Sequence, residues 1–380
     1  MKIGINGLAA KSGGGVIYLQ NLVTNILEIS GHRLHFFIPS QISSRFNLPV
    51  DKDQLTVESV DVSGTVGRLW YEQTSIPRRI VQENIDLLYS PSEIPVFGCP
   101  CKQVVANQNS NLYYNIKIKK PLRQQVREMM LARALKISQS FSEATIFVSE
   151  SSKRKAVREL DLSEDDTYSI HHGVDSAFRD ASTEVVSGQL EEREYILLVS
   201  TVYKHKNIHN LVAAYSQLSP ELRREHPLII VGCKTVEQDY TQTVKSLLRD
   251  LGITEHVSLV GRATVPEVKA YYNNAHLFVF PSLTESFGLP MLEAMAAEVP
   301  VVASASAALP EIGGDAALYF DPNDPDQMSV IIKQVLNDPG LRKDLVDRGR
   351  KRAQMFTWKK CARETLDLFQ EATGSKQSSE

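Results

Sequence analysis

Residues 281 to 297 read Pro281-Ser-Leu-Thr-Glu-Ser-Phe-Gly-Leu-Pro-Met-Leu-Glu-Ala-Met-Ala-Ala297, and they set two carboxylates, Glu285 and Glu293, across a junction of loop and helix. The run just before, Ala275-His276-Leu277-Phe278-Val279-Phe280, is apolar and β-prone, as a buried strand is. Pro290 has no amide proton to lose and so predicts a helix start. Strand, short loop and helix in that order make half of a parallel-sheet unit. Glu285 is then expected in the loop and Glu293 in the first helical turn, with Gly288 letting the backbone come close. Free amides at such a helix start, with the positive end of its dipole, favour an anionic or hydroxyl-rich occupant of the loop. Acids also suit first turns for structural reasons alone, so the pair by itself leaves both readings open.

Working outward, short apolar runs alternate with longer amphipathic stretches in both halves, the pattern of parallel sheets covered by helices. Strands are expected at Lys2 to Asn6, Arg33 to Ile38, Leu87 to Ser90, Lys102 to Ala106 and Ala144 to Val148. The pattern restarts at Tyr195 to Ser200, Pro227 to Val231, His256 to Leu259, Leu277 to Pro281 and Val301 to Ala303. Between the halves, residues 176–194 are polar and acidic without apolar periodicity, as a linker is. Two α/β domains are therefore expected, at 1–175 and 195–355. Open parallel sheets bind ligands at the carboxyl ends of their strands. The last residues, 374–380, can bury nothing and are expected to be a disordered tail.

The chain has 380 residues, 42% of them hydrophobic, enough for two cores. A net charge of −3 gives no basic surplus to attract nucleic acid. The N-terminus enters a short strand directly, and no run of about eighteen apolar residues occurs, so a cytoplasmic location is expected. Four cysteines at 99, 101, 233 and 361 are too scattered for a disulfide framework and are expected to be free thiols.

The stretch from Pro281 to Ala297, followed by Pro300-Val301-Val302-Ala303-Ser304 and Leu309-Pro310-Glu311-Ile312, closely resembles the nucleotide-sugar site of retaining glycosyltransferases of family 4, the glycosyl transferases of group 1. The resemblance implies a GT-B fold: two Rossmann-like doubly wound domains facing a cleft, acceptor mainly on the first and donor mainly on the second. A final helix, here 356–373 with Trp358, is then expected to return to the first domain. The implied activity is transfer of a hexose from a nucleoside-diphosphate sugar, GDP-mannose or a UDP-hexose, to a saccharide or lipid-linked acceptor, in surface-polysaccharide synthesis. Glu285 would meet sugar hydroxyls, the backbone of Ser286, Phe287, Gly288 and Leu289 the sugar or phosphates, and Glu293 the ribose. A GT-B phosphorylase or epimerase, or a non-catalytic sugar-binding subunit, are the competing readings.

Other stretches take meaning from the same resemblance. Gly13-Gly14-Gly15 opens a helix after the first strand; it is either a flexible turn or a phosphate-facing loop, and the resemblance implies donor contacts at Gly14 and Gly15. Lys204-His205-Lys206-Asn207 is a basic cluster at a strand end, where the resemblance points to Lys206 on the diphosphate. Many relatives carry an arginine where this chain has Ser200, which leaves Lys206 the main fixed cation, helped by Lys204, His205 or Arg262. Glu285 and Lys206 are thus the expected catalytic residues. No metal or other cofactor is expected, since fixed cations serve and no Asp-x-Asp triplet is read in a strand-end loop. Asn107-Gln108-Asn109 replaces a histidine of many relatives; amides orient hydroxyls but cannot act as a base, so Asn107 or Asn109 is expected at the acceptor. His171-His172-Gly173-Val174-Asp175 reads as a structural bend at Gly173. Residues 117–136 are basic with an apolar stripe of Leu122, Val126, Met129, Met130 and Leu135, and read as a surface helix or as a contact with an anionic membrane carrying a lipid-linked acceptor.

Overall fold

The computed structural model describes residues 1–10, 13–49, 53–114, 122–175, 178, 194–232 and 237–374. The expected linker at 176–194, apart from Phe178 and Glu194, lies outside the described residues, as do Lys117 to Pro121, Cys233 and the tail beyond Gly374. The chain divides into two compact units. Of the described residues, one holds those up to Gly173 together with those from Thr357 onward, and the other those within Val174–Phe356.

In the first unit β1 (Lys2–Asn6), α1 (Gly14–Ile29), β2 (Arg33–Pro39), β3 (Leu55–Val60), α2 (Gly64–Gln82), β4 (Leu87–Ser90), β5 (Lys102–Asn107), α3 (Leu122–Ser138), β6 (Ala144–Phe147), α4 (Glu150–Leu160) and β7 (Thr167–Ser169) follow one another. The strands form one parallel sheet in the order β3-β2-β1-β4-β5-β6-β7. Central strands such as β4, Leu-Leu-Tyr-Ser, are buried at every position, as strands covered on both faces must be. On α1 the apolar positions Val16, Leu19, Leu22, Val23 and Ile26 all point inward, the face their spacing predicts.

The second unit repeats the plan with β8 (Tyr195–Val199), α5 (Ile208–Ser216), α6 (Pro220–Glu225), β9 (Leu228–Val231), α7 (Gln238–Asp250), β10 (Val257–Gly261), α8 (Val265–Asn273), β11 (Ala275–Phe280), α9 (Leu289–Ala296), β12 (Val301–Ser304), α10 (Leu309–Gly313), β13 (Ala317–Phe320), α11 (Pro325–Asn337) and α12 (Pro339–Gln354). Its parallel sheet runs β10-β9-β8-β11-β12-β13. Both units are Rossmann-like. Strands β3, β7 and β13 were not expected from the sequence. All three are edge strands; Thr56, Glu58 and Ser59 of β3 and Thr167 and Ser169 of β7 break the apolar run, whereas β13, Ala-Leu-Tyr-Phe, is a short apolar run that the sequence reading passed over.

The last helix, α13 (Trp358–Ala372), belongs to the first unit. Trp358, Cys361, Ala362, Leu366 and Phe369 enter the core formed by Ile3, Leu22 and Leu87. A Cβ on Gly173 would lie 2.1 Å from the backbone nitrogen of Trp358. The bend at Gly173 is therefore demanded by the close approach of α13, and not by a left-handed φ.

Candidate functional site

In the second unit the strand order reverses between β8 and β11, and the crevice beyond the carboxyl ends of such strands is where open α/β sheets hold ligands. The loops after these two strands are tied together. Leu283 donates its amide to the His205 carbonyl at 2.8 Å. Asn207, fully buried and left-handed with φ 59°, donates its amide protons to the carbonyls of Pro281 (3.0 Å) and Pro322 (2.7 Å). This lacing sets Lys206 Nζ 2.6 Å from Glu285 Oε1, with side-chain exposures of only 17% and 12%. A charge-assisted bond so shielded from water is stronger than a surface pair. An ammonium has three protons, so the bond to Glu285 leaves donors for an anion.

Glu293 stands deeper. Helix α9 starts at Leu289 behind Gly288, whose φ of 100° suits glycine and whose Cβ would meet Leu309 at 2.5 Å. Pro290 is the second helical residue and Glu293 the fifth, so Glu293 lies in the second turn and not the first as expected. Its carboxylate is buried and meets the Tyr272 hydroxyl at 3.0 Å, while that hydroxyl also lies 3.1 Å from the Pro290 carbonyl. One hydroxyl proton cannot serve both acceptors fully, and a protonated carboxyl supplies the second. Burial pushes the Glu293 carboxyl up to about 7, with the charge of Asp175 adding to it and the Tyr272 hydrogen bond opposing it. Phe287 packs edge-on against Phe356 at 5.9 Å and anchors the loop between the two glutamates.

The remaining expected donor residues are more spread out. Ser200 follows β8 directly and is buried, with its amide on the Val231 carbonyl and its hydroxyl on the Thr201 carbonyl. Arg262 follows β10, two strands away from β8, and is exposed. Against the expectation, an Asp-x-Asp triplet, Asp324-Pro325-Asp326, does follow a strand. Asp324 caps α11 through the Gln327 amide at 2.9 Å and Asp326 accepts from Gln217 at 2.7 Å, so the triplet serves a helix start.

In the first unit the reversal lies between β1 and β4. Gly13, at φ 61°, precedes α1, and Gly14 is its exposed first residue. A pocket of about 820 Å³ opens there, lined by Gly15, Arg68, Glu93, Asn109, Arg123 and Arg127 among others. Asn109 also caps a short turn through the Asn111 amide at 3.2 Å. Asn107, the last residue of β5, is fully buried and does not line that pocket, with Nδ2 3.5 Å from Glu93 and Oδ1 lacking a partner. His172 is packing material, stacked on Tyr18 at 4.7 Å and held down to about 3 by burial and then by His171. On α3, Leu122, Val126, Met129 and Met130 are exposed, and only Leu135 of the expected stripe is buried. Among the described residues no helix is long and apolar enough to cross a membrane.

Sequence reasoning missed Asn207 as the tie between loops, Tyr272 behind Glu293, and Arg68 and Glu93 at the first-unit pocket. The Lys206-Asn207 dipeptide could have flagged Asn207, since asparagine tolerates the left-handed region a sharp turn needs. The contacts of Tyr272, Arg68 and Glu93 depend on tertiary packing and leave no local signal.

Residues 182–352 match the family described as Glycosyl transferases group 1, and residues 12–178 match Glycosyltransferase Family 4. Among curated proteins, the O-antigen chain mannosyltransferase B of Escherichia coli is 39% identical over 182 residues, 48% of this chain and 47% of that protein. The O-antigen chain mannosyltransferase RfbU of Salmonella typhimurium is 32% identical over 38% of this chain and 39% of its own length. The chain spans about half the length of the curated relatives it matches, or less. In fold it resembles the Anabaena protein HepE solved with UDP-glucose, with a TM-score of 0.78 at 18% identity over 98% of this chain and 100% of that one. The sucrose-phosphate synthase of Thermosynechococcus elongatus superposes with a TM-score of 0.78 at 19% identity, over 99% of this chain and 100% of that one. With two Rossmann-like units of GT-B type and family matches running from residue 12 to residue 352, the chain belongs to the glycosyltransferases of group 1, family 4.

Proposed function

We propose that this chain is a retaining hexosyltransferase that moves mannose from GDP-mannose to a saccharide acceptor, free or lipid-linked, in surface-polysaccharide synthesis. The observation that carries the reading is the Lys206–Glu285 pair, 2.6 Å apart at the strand reversal of the second unit. The names of the mannosyltransferases it resembles support mannose and O-antigen-like products. A fold neighbour solved with UDP-glucose keeps a UDP-hexose as the competing donor.

In this reading Glu285 exchanges its bond to Lys206 for sugar hydroxyls, and the ammonium turns to the diphosphate. Amides of Ser286, Phe287, Gly288 and Leu289 meet sugar or phosphate, Glu293 meets the ribose, and Ser200 and Arg262 flank the diphosphate. The bond from the sugar C1 to the diphosphate breaks with its electron pair left on the phosphate oxygen. A bond from C1 to the acceptor oxygen forms on the same face, and the acceptor proton passes to the departing phosphate. Lys206 stabilises the charge that develops on the leaving group, an effect worth about 3 kcal/mol for a single well-placed donor. A fixed cation there makes a metal unnecessary. The acceptor takes the pocket of the first unit, whose Arg68, Arg123 and Arg127 suit an acceptor bearing phosphate. Exposed Leu122, Val126, Met129 and Met130 beside those arginines suit the surface of an anionic membrane.

The test is incubation with GDP-mannose, UDP-glucose or UDP-galactose in EDTA, with nucleoside diphosphate and product anomer read by chromatography and NMR. We expect turnover of GDP-mannose with the donor's anomeric configuration kept, and its loss in E285A. Inverted product would overturn retention, EDTA-sensitive turnover by a chain that stays folded in EDTA would overturn metal independence, and binding of no nucleotide sugar would overturn the reading altogether.

A further inference from the structure

At the opposite ends of the same central strands lies a cluster with no part in sugar transfer. Glu194 immediately precedes β8, His226 stands two residues before β9, and His276 is the second residue of β11. The sheet order makes these three strands neighbours, β9-β8-β11, so parallel pairing alone brings the three side chains to one edge. One ligand atom from each, two imidazole nitrogens and a carboxylate oxygen, lie within 4.8 Å of one another. The rings of His226 and His276 are stacked with centroids 4.9 Å apart, and His276 Nδ1 is 3.2 Å from Glu194 Oε2.

Two details distinguish this cluster from a chance gathering of polar side chains. The β8–β11 register is irregular between Ala275 and Leu277, at His276 itself, and such bulges re-aim a side chain. His226 Nδ1 lies 3.3 Å from the Glu194 carbonyl; donating there fixes the tautomer that leaves Nε2 with a free lone pair, as a histidine oriented for a metal does.

We propose that Glu194, His226 and His276 form a zinc site that clips the entry ends of β8, β9 and β11 together. Two imidazoles and one carboxylate are a ligand set zinc accepts, with water completing the coordination, whereas calcium and magnesium want oxygen alone. Arg342, whose Nη1 is held by the Val335 and Leu336 carbonyls at 2.9 and 2.6 Å, keeps its charge and opposes a cation there, and the closer carboxylate of Glu194 offsets it. Because the ligands lie at the entry ends of three strands far apart in the chain, the ion binds the folded unit and not the unfolded chain, and its binding adds to stability by mass action.

The test uses the full chain, stripped of metal, with cobalt as a spectroscopic stand-in and zinc as the competitor. We expect one equivalent of Co²⁺ to give visible d–d bands, zinc to displace it, and zinc to raise the melting temperature. In E194Q, an exposed position whose change leaves the fold intact, and in H276Q, zinc affinity should fall at least tenfold. Absence of saturable binding at one equivalent, or an affinity unchanged in both E194Q and the H226Q/H276Q pair, overturns the site. Nucleotide-sugar binding is measured on the same samples, so failure here is distinguishable from failure of the transferase reading.

Discussion

Replacing Glu293 by glutamine should stabilise the second unit above neutral pH and leave it nearly unchanged near pH 4.5. Folding puts this carboxyl where burial, with the charge of Asp175, holds it at about 7 against an ordinary 4.5. An acid whose folded pKa is raised binds its proton more tightly in the folded chain than in the unfolded one. Its contribution to stability is whole below the ordinary value, falls as pH rises, and is fully lost above the raised value. The gap from 4.5 to about 7, at about 1.4 kcal/mol per unit, makes an ionised Glu293 cost the free protein about 3 kcal/mol. In E293Q the amide can donate to the Tyr272 oxygen while Tyr272 donates to the Pro290 carbonyl, as the protonated acid does. The assay is urea unfolding of wild type and E293Q at pH 4.5 and pH 8, followed by far-ultraviolet circular dichroism. Tryptophan fluorescence would follow the wrong unit, since Trp70 and Trp358 both belong to the first. A variant no more stable than wild type at pH 8, or equally more stable at both pH values, would refute the reasoning.

Lys206→Ala removes the cation beside a largely buried Glu285 and should destabilise the second unit by roughly 1–3 kcal/mol, while kcat/KM falls on the order of 100-fold; unchanged kcat/KM would remove Lys206 from the diphosphate. Asn207→Ala frees the carbonyls of Pro281 and Pro322 and should cost about 2 kcal/mol, with weaker nucleotide binding by calorimetry; a stable variant that binds nucleotide normally would show the lacing is dispensable. Gly173→Ala drives a Cβ into the backbone of Trp358 and should cost about 4 kcal/mol or more, read as a lost or sharply lowered melting transition; a wild-type melt would place α13 elsewhere.

The fold class was legible because central parallel strands are buried on both faces and so appear as unbroken apolar runs, such as Leu197-Leu198 and Phe278-Val279-Phe280. The edge strand β3 escaped for the converse reason. Leu55-Thr-Val-Glu-Ser-Val60 has a neighbour on one side only and keeps polar residues that a central strand could not. At the site, Lys206 and Glu285 each stood out locally, but their contact spans 79 positions and is made by the pairing order of the sheet. The turn that holds Glu293 was misplaced by reading Pro290 as the first helical residue. Gly288 adopts the left-handed conformation that starts α9 one residue earlier.

That shift changes the physics assigned to Glu293. An acid in the first turn would be stabilised as the anion by the helix dipole, which acts chiefly on that turn. In the second turn and buried against Tyr272, the carboxyl is instead pushed toward its protonated form. A buried acid with so perturbed a pKa in a ligand-binding crevice is a candidate for a functional role. Lys206 and Glu285 satisfy each other in the free protein, whereas Tyr272 alone cannot satisfy both Glu293 and the Pro290 carbonyl. A ligand whose hydroxyls donate to Glu293 would supply the missing hydrogen bonds and favour the anion, drawing its pKa back down. On the proposed reading, the carboxyl that would meet the ribose is thus one the fold holds at a cost, and the Lys206–Glu285 pair would part when the diphosphate takes the place of Glu285 on Lys206.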